Sequence, residues 1–135
     1  MKKKYYITTP IYYPSAKPHM GHAYSSISAD FIARYKRLEG YDVTFVTGTD
    51  EHGQKIQKSA DKRKLSPDIF CNEISKVFLD LTKTLNLSNT DFIRTTEIRH
   101  HKTVQKLWNI LEKKKFIYLS KYSGWYSVSD EAFYT

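Results

Sequence analysis

The chain has 135 residues, of which 40% are hydrophobic and 27% are charged, a composition typical of one ordinary globular domain. It contains no apolar run long enough to span a bilayer and no secretory signal at its N-terminus, so we expect a soluble cytoplasmic protein without a membrane partner. The single cysteine, Cys71, excludes an internal disulfide framework and a multi-cysteine zinc site.

Basic residues outnumber acidic ones by 22 to 14, which gives a formal net charge of +8. This excess favours polyanionic partners such as nucleic acids or phosphorylated ligands. An AT-rich genome, whose codons favour lysine and tyrosine, would also explain the charge and the eleven tyrosines. The charge therefore does not decide the function by itself.

The first third of the chain predicts a strand, a helix and a second strand. Residues 4–9 are rich in β-prone side chains, and a proline-rich loop follows them. Apolar residues then recur every three or four positions between 21 and 40, which predicts a helix. The β-branched segment 43–47 predicts a strand that Gly48 closes. The strands of a βαβ unit are parallel, so we expect an α/β fold.

The middle of the chain is predicted to be mostly helical. Residues 54–64 favour a helix, and Ser66 is expected to cap another that runs to about residue 84. Cys71 falls in the middle of that helix, where we expect it to be a small core residue. Residues 91–95 predict a short extended segment.

The C-terminal part predicts one more helix and a hairpin. Thr96 is expected to cap the helix, which has an apolar face and ends in a lysine cluster that suits the helix dipole. Residues 117–135 predict a hairpin that turns at 123–124. Because two or three parallel strands cannot cover both faces of a sheet, we expect this chain to be the front part of a larger protein.

The strongest chemical signal is the segment from Pro18 to His22, where the first loop becomes the first helix. His19 and His22 lie on one face of a helical turn, and Gly21 lets a ligand or backbone come close. Free amides at a helix N-terminus suit phosphate, and imidazoles can donate hydrogen bonds to phosphate oxygens as pyrophosphate departs. The alternatives are a metal site that adds a carboxylate and a chance occurrence of the motif.

The second signal is the segment 48–53, which follows the second strand and contains Asp50 and Glu51. Ligands of open parallel sheets bind beyond the carboxyl ends of the strands. Both segments should therefore lie at the same edge of the sheet. Two adjacent acids between glycines are also compatible with a simple turn.

These segments together resemble the methionyl-tRNA synthetase family. The matching stretches cover nearly the whole chain: residues 6–13, 18–24, 29–34, 45–53, 91–97 and 131–135. The His-x-Gly-His element alone would indicate only a class I synthetase or a related nucleotidyltransferase. Taken together, the stretches are specific for the methionine family.

The resemblance implies a Rossmann-type nucleotide-binding catalytic domain that joins methionine to ATP, releases pyrophosphate and passes the aminoacyl group to tRNA. ATP is expected to bind with Mg²⁺. On this basis residues 1–115 are the first half of that domain, and residues 116–135 begin a β-rich connective insertion. The chain would then carry only the N-terminal half of the site and be inactive alone.

The resemblance also assigns roles to single residues. Ile11 and Tyr13 are expected to line the methionine pocket, and Asp50 to hold the substrate ammonium.

The ATP-binding residues are expected in both segments. His19 and His22 match the family's signature histidines and are assigned a catalytic role, with Gly21 between them. His52 and Gly53 match a loop near the nucleotide.

Two features differ from the family. The Lys-Met-Ser-Lys-Ser element that completes the ATP site is absent from this sequence. Zinc-bearing members have a Cys-x-x-Cys motif where this chain has Ser127, Val128, Ser129 and Asp130, so no zinc is expected. Two alternative functions stay open: a class I synthetase for another aliphatic amino acid, and a non-catalytic basic RNA-binding fragment.

Overall fold

A computed structural model describes residues 2–134, which divide into two compact units at Thr95 and Thr96. Met1, in the basic N-terminus, and Thr135, in the predicted hairpin and the last matching stretch, lie outside the described residues. The predicted domain boundary between residues 115 and 116 stays a prediction. The elements are β1 (Lys4–Thr8), α1 (Met20–Leu38), β2 (Asp42–Thr49), α2 (Gln54–Lys62), α3 (Pro67–Thr84), β3 (Asp91–Arg94), α4 (Ile98–Lys113), β4 (Trp125–Ser127) and β5 (Ala132–Tyr134).

The first unit is built on a parallel sheet in the order β1-β2-β3, which confirms the predicted α/β fold. Ile7 pairs with Phe45 in the β1–β2 register, and Val46 pairs with Asp91 in the β2–β3 register. The central strand β2 therefore has a neighbour on each side, and its carboxyl end lies between those of β1 and β3.

Helices α1 and α3 cover the same face of this sheet. Val43 and Phe45 of β2 pack against the small residues Ala29 and Ala33 of α1. Thr49 faces the same way because side chains alternate along a strand, and its hydroxyl oxygen lies 2.8 Å from that of Ser75 of α3. The second core cluster lies around α2 and α3 and comprises Tyr12, Ile56, Ala60, Phe70, Cys71, Ile74 and Phe78.

Cys71 is buried in α3, as predicted, and is 2% exposed. Burial raises the pKa of its thiol to about 11, so the thiol is protonated at neutral pH. Cys71 is therefore a core side chain and not a reactive nucleophile.

The prediction that Gly48 ends the second strand is wrong, because β2 continues through Gly48 to Thr49. Gly48 pairs with Ile93 in the β2–β3 register. A Cβ atom on Gly48 would lie 1.9 Å from the carbonyl oxygen of Ile93. Glycine is thus needed here for the close approach of β3 and not for a turn.

Two local predictions in the second unit are also wrong. The N-cap of α4 is Glu97 and not Thr96, because the carbonyl of Glu97 accepts the first helical hydrogen bond, from the amide of His101. The hairpin turns after Ser127 and not at 123–124: strands β4 and β5 flank a turn that hydrogen bonds between Ser127 and Asp130 hold together.

Helix α4 has no buried side chain among the described residues. Val104 and Trp108, on its predicted apolar face, are 48% and 54% exposed. No helix within residues 2–134 combines the length and the apolar character that crossing a membrane requires.

Replacing Gly48 by alanine is expected to destabilise the fold by roughly 3 kcal/mol or more, because the new methyl group must displace the backbone of β3. Thermal unfolding of the protein encoded by the complete open reading frame measures the effect. Gly124→Ala is the matched control, since a Cβ atom there would meet only ordinary contacts, the nearest at 3.4 Å. Equal unfolding temperatures for the two variants would contradict this account of Gly48.

Candidate active site

Tyr12 joins the two predicted segments at the carboxyl edge of the sheet. Its amide donates to the carbonyl of Gly48 at 2.9 Å, and its carbonyl accepts from the amide of Asp50, also at 2.9 Å. Its hydroxyl donates to the carbonyl of His22 at 3.3 Å and shares a hydrogen bond with Ser26 at 3.0 Å. The predicted convergence of the histidine segment and the acidic segment is therefore present, and one residue holds it.

The ring of Tyr12 packs in the core between α1 and α3. It stacks on Phe78 with ring centroids 5.6 Å apart and meets the edge of His22 at 4.8 Å. The resemblance assigned Ile11 and Tyr13 to the substrate pocket and did not identify Tyr12 as part of the site. In the structure the three residues alternate: Ile11 and Tyr13 are 41% and 38% exposed, whereas Tyr12 between them is 8% exposed. Three large apolar residues in a row carry no signal in the sequence that separates them.

The two histidines cap helix α1. His19 is the N-cap residue, and its Nδ1 accepts a hydrogen bond from the amide of Gly21 at 3.1 Å. His22 returns a second bond, since its Nδ1 accepts from the amide of His19 at 3.0 Å. This is the reciprocal arrangement of a capping box, with imidazoles in place of the usual hydroxyl and carboxyl groups.

The capping bonds fix which nitrogen of each ring carries the proton. A ring whose Nδ1 accepts a hydrogen bond is protonated at Nε2 when it is neutral. Burial lowers the pKa of His22, and the neighbouring His19 lowers it further, so the neutral form is favoured. With the ring centroids 4.0 Å apart, His19 and His22 form a pair of Nε2–H donors at the start of α1.

The expectation that the helix offers free amides to phosphate does not hold for the amides of Gly21 and His22. The amide of Gly21 is occupied by the ring of His19, and the amide of His22 donates to the carbonyl of His19 at 3.0 Å. The imidazole Nε2–H groups therefore add two donors to the helix start. Gly21 is needed because a Cβ atom there would lie 2.9 Å from the ring of His19.

The adjacent acids Asp50 and Glu51 lie in different environments. The side chain of Glu51 is fully buried and receives two hydrogen bonds from Arg94. Asp50 is half-buried, and within residues 2–134 its carboxylate makes no hydrogen bond or ion pair. Of the two, Asp50 is the carboxylate that can receive a cationic group.

The remaining predicted residues lie around the same edge. Tyr13 has the ammonium group of Lys55 at 5.9 Å from its ring centroid. The Nε2 of His52 lies 3.4 Å from the carbonyl of Thr95. Gly53 is the N-cap of α2 and has a φ of 106°, a conformation that favours glycine.

No group of three histidine, cysteine, aspartate or glutamate side chains that could hold a metal ion is found in the part of the chain that the structure describes. Where zinc-bearing members have cysteines, the hydroxyl of Ser127 donates to the carboxylate of Asp130 at 2.5 Å, and the hydroxyl of Tyr134 donates to the same oxygen at 3.1 Å. Hydroxyl groups are poor zinc ligands, so these residues do not fit that metal.

Comparisons with known proteins agree with this geometry. The family model of the class I tRNA synthetases (M) matches residues 5–135. A methionine–tRNA ligase of Listeria monocytogenes is 56% identical over 134 residues, which are 99% of this chain and 20% of that protein. One of Bacillus subtilis is 52% identical over 131 residues, which are 97% of this chain and 20% of that protein.

A solved structure is similar as well. The Mycobacterium tuberculosis methionyl-tRNA synthetase in complex with methionyl-adenylate superimposes with a TM-score of 0.93 at 48% identity, over 98% of this chain and 26% of that one. The chain spans about a fifth of the length of the curated relatives it matches. Because the family model covers all but the first four residues, the chain belongs to the class I tRNA synthetases (M).

Proposed function

We propose that the protein acts as a methionine–tRNA ligase: it activates methionine with ATP and transfers the methionyl group to tRNA in the cytoplasm. The observation that carries the proposal is the carboxylate of Asp50, without a protein partner among the described residues, at the same sheet edge as the Nε2–H donors of His19 and His22. The similar Mycobacterium tuberculosis protein, whose structure contains methionyl-adenylate, supports the choice of substrates.

The proposed reaction needs no nucleophile from the protein. An oxygen of the methionine carboxylate attacks the α-phosphorus of ATP, the bond between the α-phosphorus and the α,β-bridging oxygen breaks, and pyrophosphate leaves. The protein then contributes position and stabilisation of charge. We assign Asp50 to the substrate ammonium, and Ile11 and Tyr13 to the methionine side chain.

The two histidines are proposed to face the phosphates. Negative charge grows on the departing pyrophosphate, and neutral imidazole Nε2–H groups can donate hydrogen bonds to it. His52 and Gly53 are assigned to the nucleotide as well. We assign Mg²⁺ to the phosphates of ATP, and we propose no zinc at the turn between Ser127 and Asp130.

The test is methionine-dependent exchange of pyrophosphate into ATP by the protein encoded by the complete open reading frame. Leucine, isoleucine and valine serve as alternative substrates, because they separate a methionine enzyme from one for another aliphatic amino acid. Exchange that depends on one of these instead of methionine, or no exchange at all, would overturn the proposal.

Replacing Asp50 by asparagine should reduce methionine activation by about two to three orders of magnitude, because the substrate ammonium loses its counter-charge in a partly desolvated site. Asp42→Asn is the matched control: Asp42 lies at the opposite end of β2, where it pairs with Lys4 at 2.7 Å on the surface. Pyrophosphate exchange measures both. Activity of Asp50→Asn within about tenfold of the parent would refute the ammonium role.

Replacing His22 by alanine should lower kcat about a hundredfold to a thousandfold and change the KM for ATP little, because its donor acts on charge that develops in the transition state. His22→Gln keeps an acceptor for the His19 amide and should therefore restore the helix cap but not the full turnover. His100→Ala, on helix α4, is the control. A rise in the KM for ATP alone, without loss of kcat, would contradict the assignment.

Acid should inactivate the site through His22. Its lowered pKa means that the native protein binds this proton less readily than the unfolded chain, so stability falls as the pH drops below the pKa of an unfolded histidine. The protonated ring can no longer accept the amide hydrogen of His19, so turnover should fall with it. An NMR titration of the His22 ring provides the measurement, and a pKa at or above that of free histidine would refute this account.

A further inference from the structure

A buried ion pair lies directly beside the carboxylate assigned to the substrate ammonium. Nε of Arg94 donates to Oε1 of Glu51 at 2.7 Å, and Nη2 donates to Oε2 at 2.9 Å. The side chain of Glu51 is 0% exposed and that of Arg94 is 28% exposed. Two parallel bonds of this kind fix both the distance and the direction of the guanidinium group.

The ion pair ties three elements together at the edge of the sheet. The hydroxyl of Thr49, at the end of β2, donates to Oε1 of Glu51 at 2.8 Å, and Ser75 of α3 donates to the same oxygen. Arg94, at the end of β3, also donates to the side chain of Asn72 on α3 at 2.7 Å. Glu51 is therefore held by β2, α3 and β3 at once.

The backbone around Asp50 is held on both sides. The amide of Asp50 donates to Tyr12 at 2.9 Å, and the amide of Glu51 donates to the hydroxyl of Thr95 at 2.8 Å. The ring of His52 meets the carbonyl of the same Thr95 at 3.4 Å. The two residues that flank Glu51, Asp50 and His52, are both assigned to substrates.

We infer that the Glu51–Arg94 ion pair is a positioning element that fixes the Asp50 carboxylate for the substrate ammonium, an inference that rests on the proposed function. Stability alone gives a weak reason for such a pair, because a buried ion pair often contributes no more than well-packed apolar side chains would. Because the pair is anchored to three elements, it can hold the neighbouring Asp50 carboxylate in one orientation. A fixed orientation favours binding of the substrate ammonium, since a displacement of the carboxylate by about 1 Å weakens binding strongly.

Loss of this positioning should change the KM values differently from a general loss of stability. Loosening the loop misplaces Asp50 and should raise the KM for methionine. The KM for ATP should rise by a smaller factor, because His52 and Gly53 are only two of the residues assigned to the nucleotide. A variant that is merely less stable has fewer active molecules, which lowers the apparent kcat and leaves both KM values unchanged.

Arg94→Lys, which keeps the charge but loses the two-pronged contact, and Glu51→Gln, which removes the charge, should raise the KM for methionine about tenfold or more. Thr95→Val keeps the ion pair and removes the bond from the Glu51 amide, so a smaller rise of about threefold is expected. In each variant the KM for ATP should rise by a smaller factor than the KM for methionine.

Two matched controls accompany these variants. Glu73→Gln, on helix α3 but outside the Glu51–Arg94 pair, breaks the exposed ion pair with Arg63, whose N–O distance is 2.7 Å. Val43→Ala leaves a cavity in the core against α1 and provides a destabilised protein with an intact loop. The inference fails if the three loop variants raise the KM for methionine no more than Val43→Ala does. If Arg94→Lys and Glu51→Gln do not fold, the KM for methionine of Thr95→Val decides between the two outcomes.

Amide hydrogen exchange distinguishes failure of the positioning role from failure of the proposed function. Arg94→Lys should speed exchange in residues 49–53 while residues 42–46 stay protected, whatever the substrate is. If the parent protein shows no methionine-dependent exchange of pyrophosphate, the proposed function is wrong. If the parent is active but the loop variants alter neither the KM for methionine nor the exchange of residues 49–53, only the positioning role is wrong.

Discussion

The close pairing at the carboxyl end of β2 is the constraint on which the rest of the site depends. Gly48 accepts a hydrogen bond from Tyr12 on one side and lies against Ile93 on the other, where a side chain would meet the Ile93 carbonyl at 1.9 Å. This contact brings the loop after β1 and the end of β3 to one edge. The histidines, the acids and their buried support follow from it, because each is attached to one of these three chain segments.

Asp50 and Glu51 show how a difference in burial gives two neighbouring carboxylates different environments. Glu51 points inward, where Arg94 and two hydroxyl groups neutralise it, as a buried carboxylate requires. Asp50 is half-buried, and its carboxylate makes no hydrogen bond or ion pair within residues 2–134. The two adjacent carboxylates thus differ: that of Glu51 is part of the core, and that of Asp50 is the one we propose for the substrate ammonium.

The histidines of α1 combine a structural and a chemical task in the same rings. Their Nδ1 atoms cap the helix, and this leaves the Nε2–H groups as outward donors with a fixed orientation. The close packing of the His19 ring over residue 21 explains why glycine is needed between them. A helix start that is capped by the rings we propose for phosphate binding needs no rearrangement before the ligand arrives.

The sequence by itself determined the elements, the parallel topology and the meeting of two motifs at one edge, because periodicity, proline and glycine act locally and parallel strands end on the same side. It did not determine that Gly48 lies within a strand, that Tyr12 and not its neighbours enters the core, or that Glu51 is buried beside Asp50. Each of these depends on a partner far along the chain: Ile93, Phe78 and Arg94 respectively. Such contacts are decided by tertiary packing, for which adjacent residues carry no local signal.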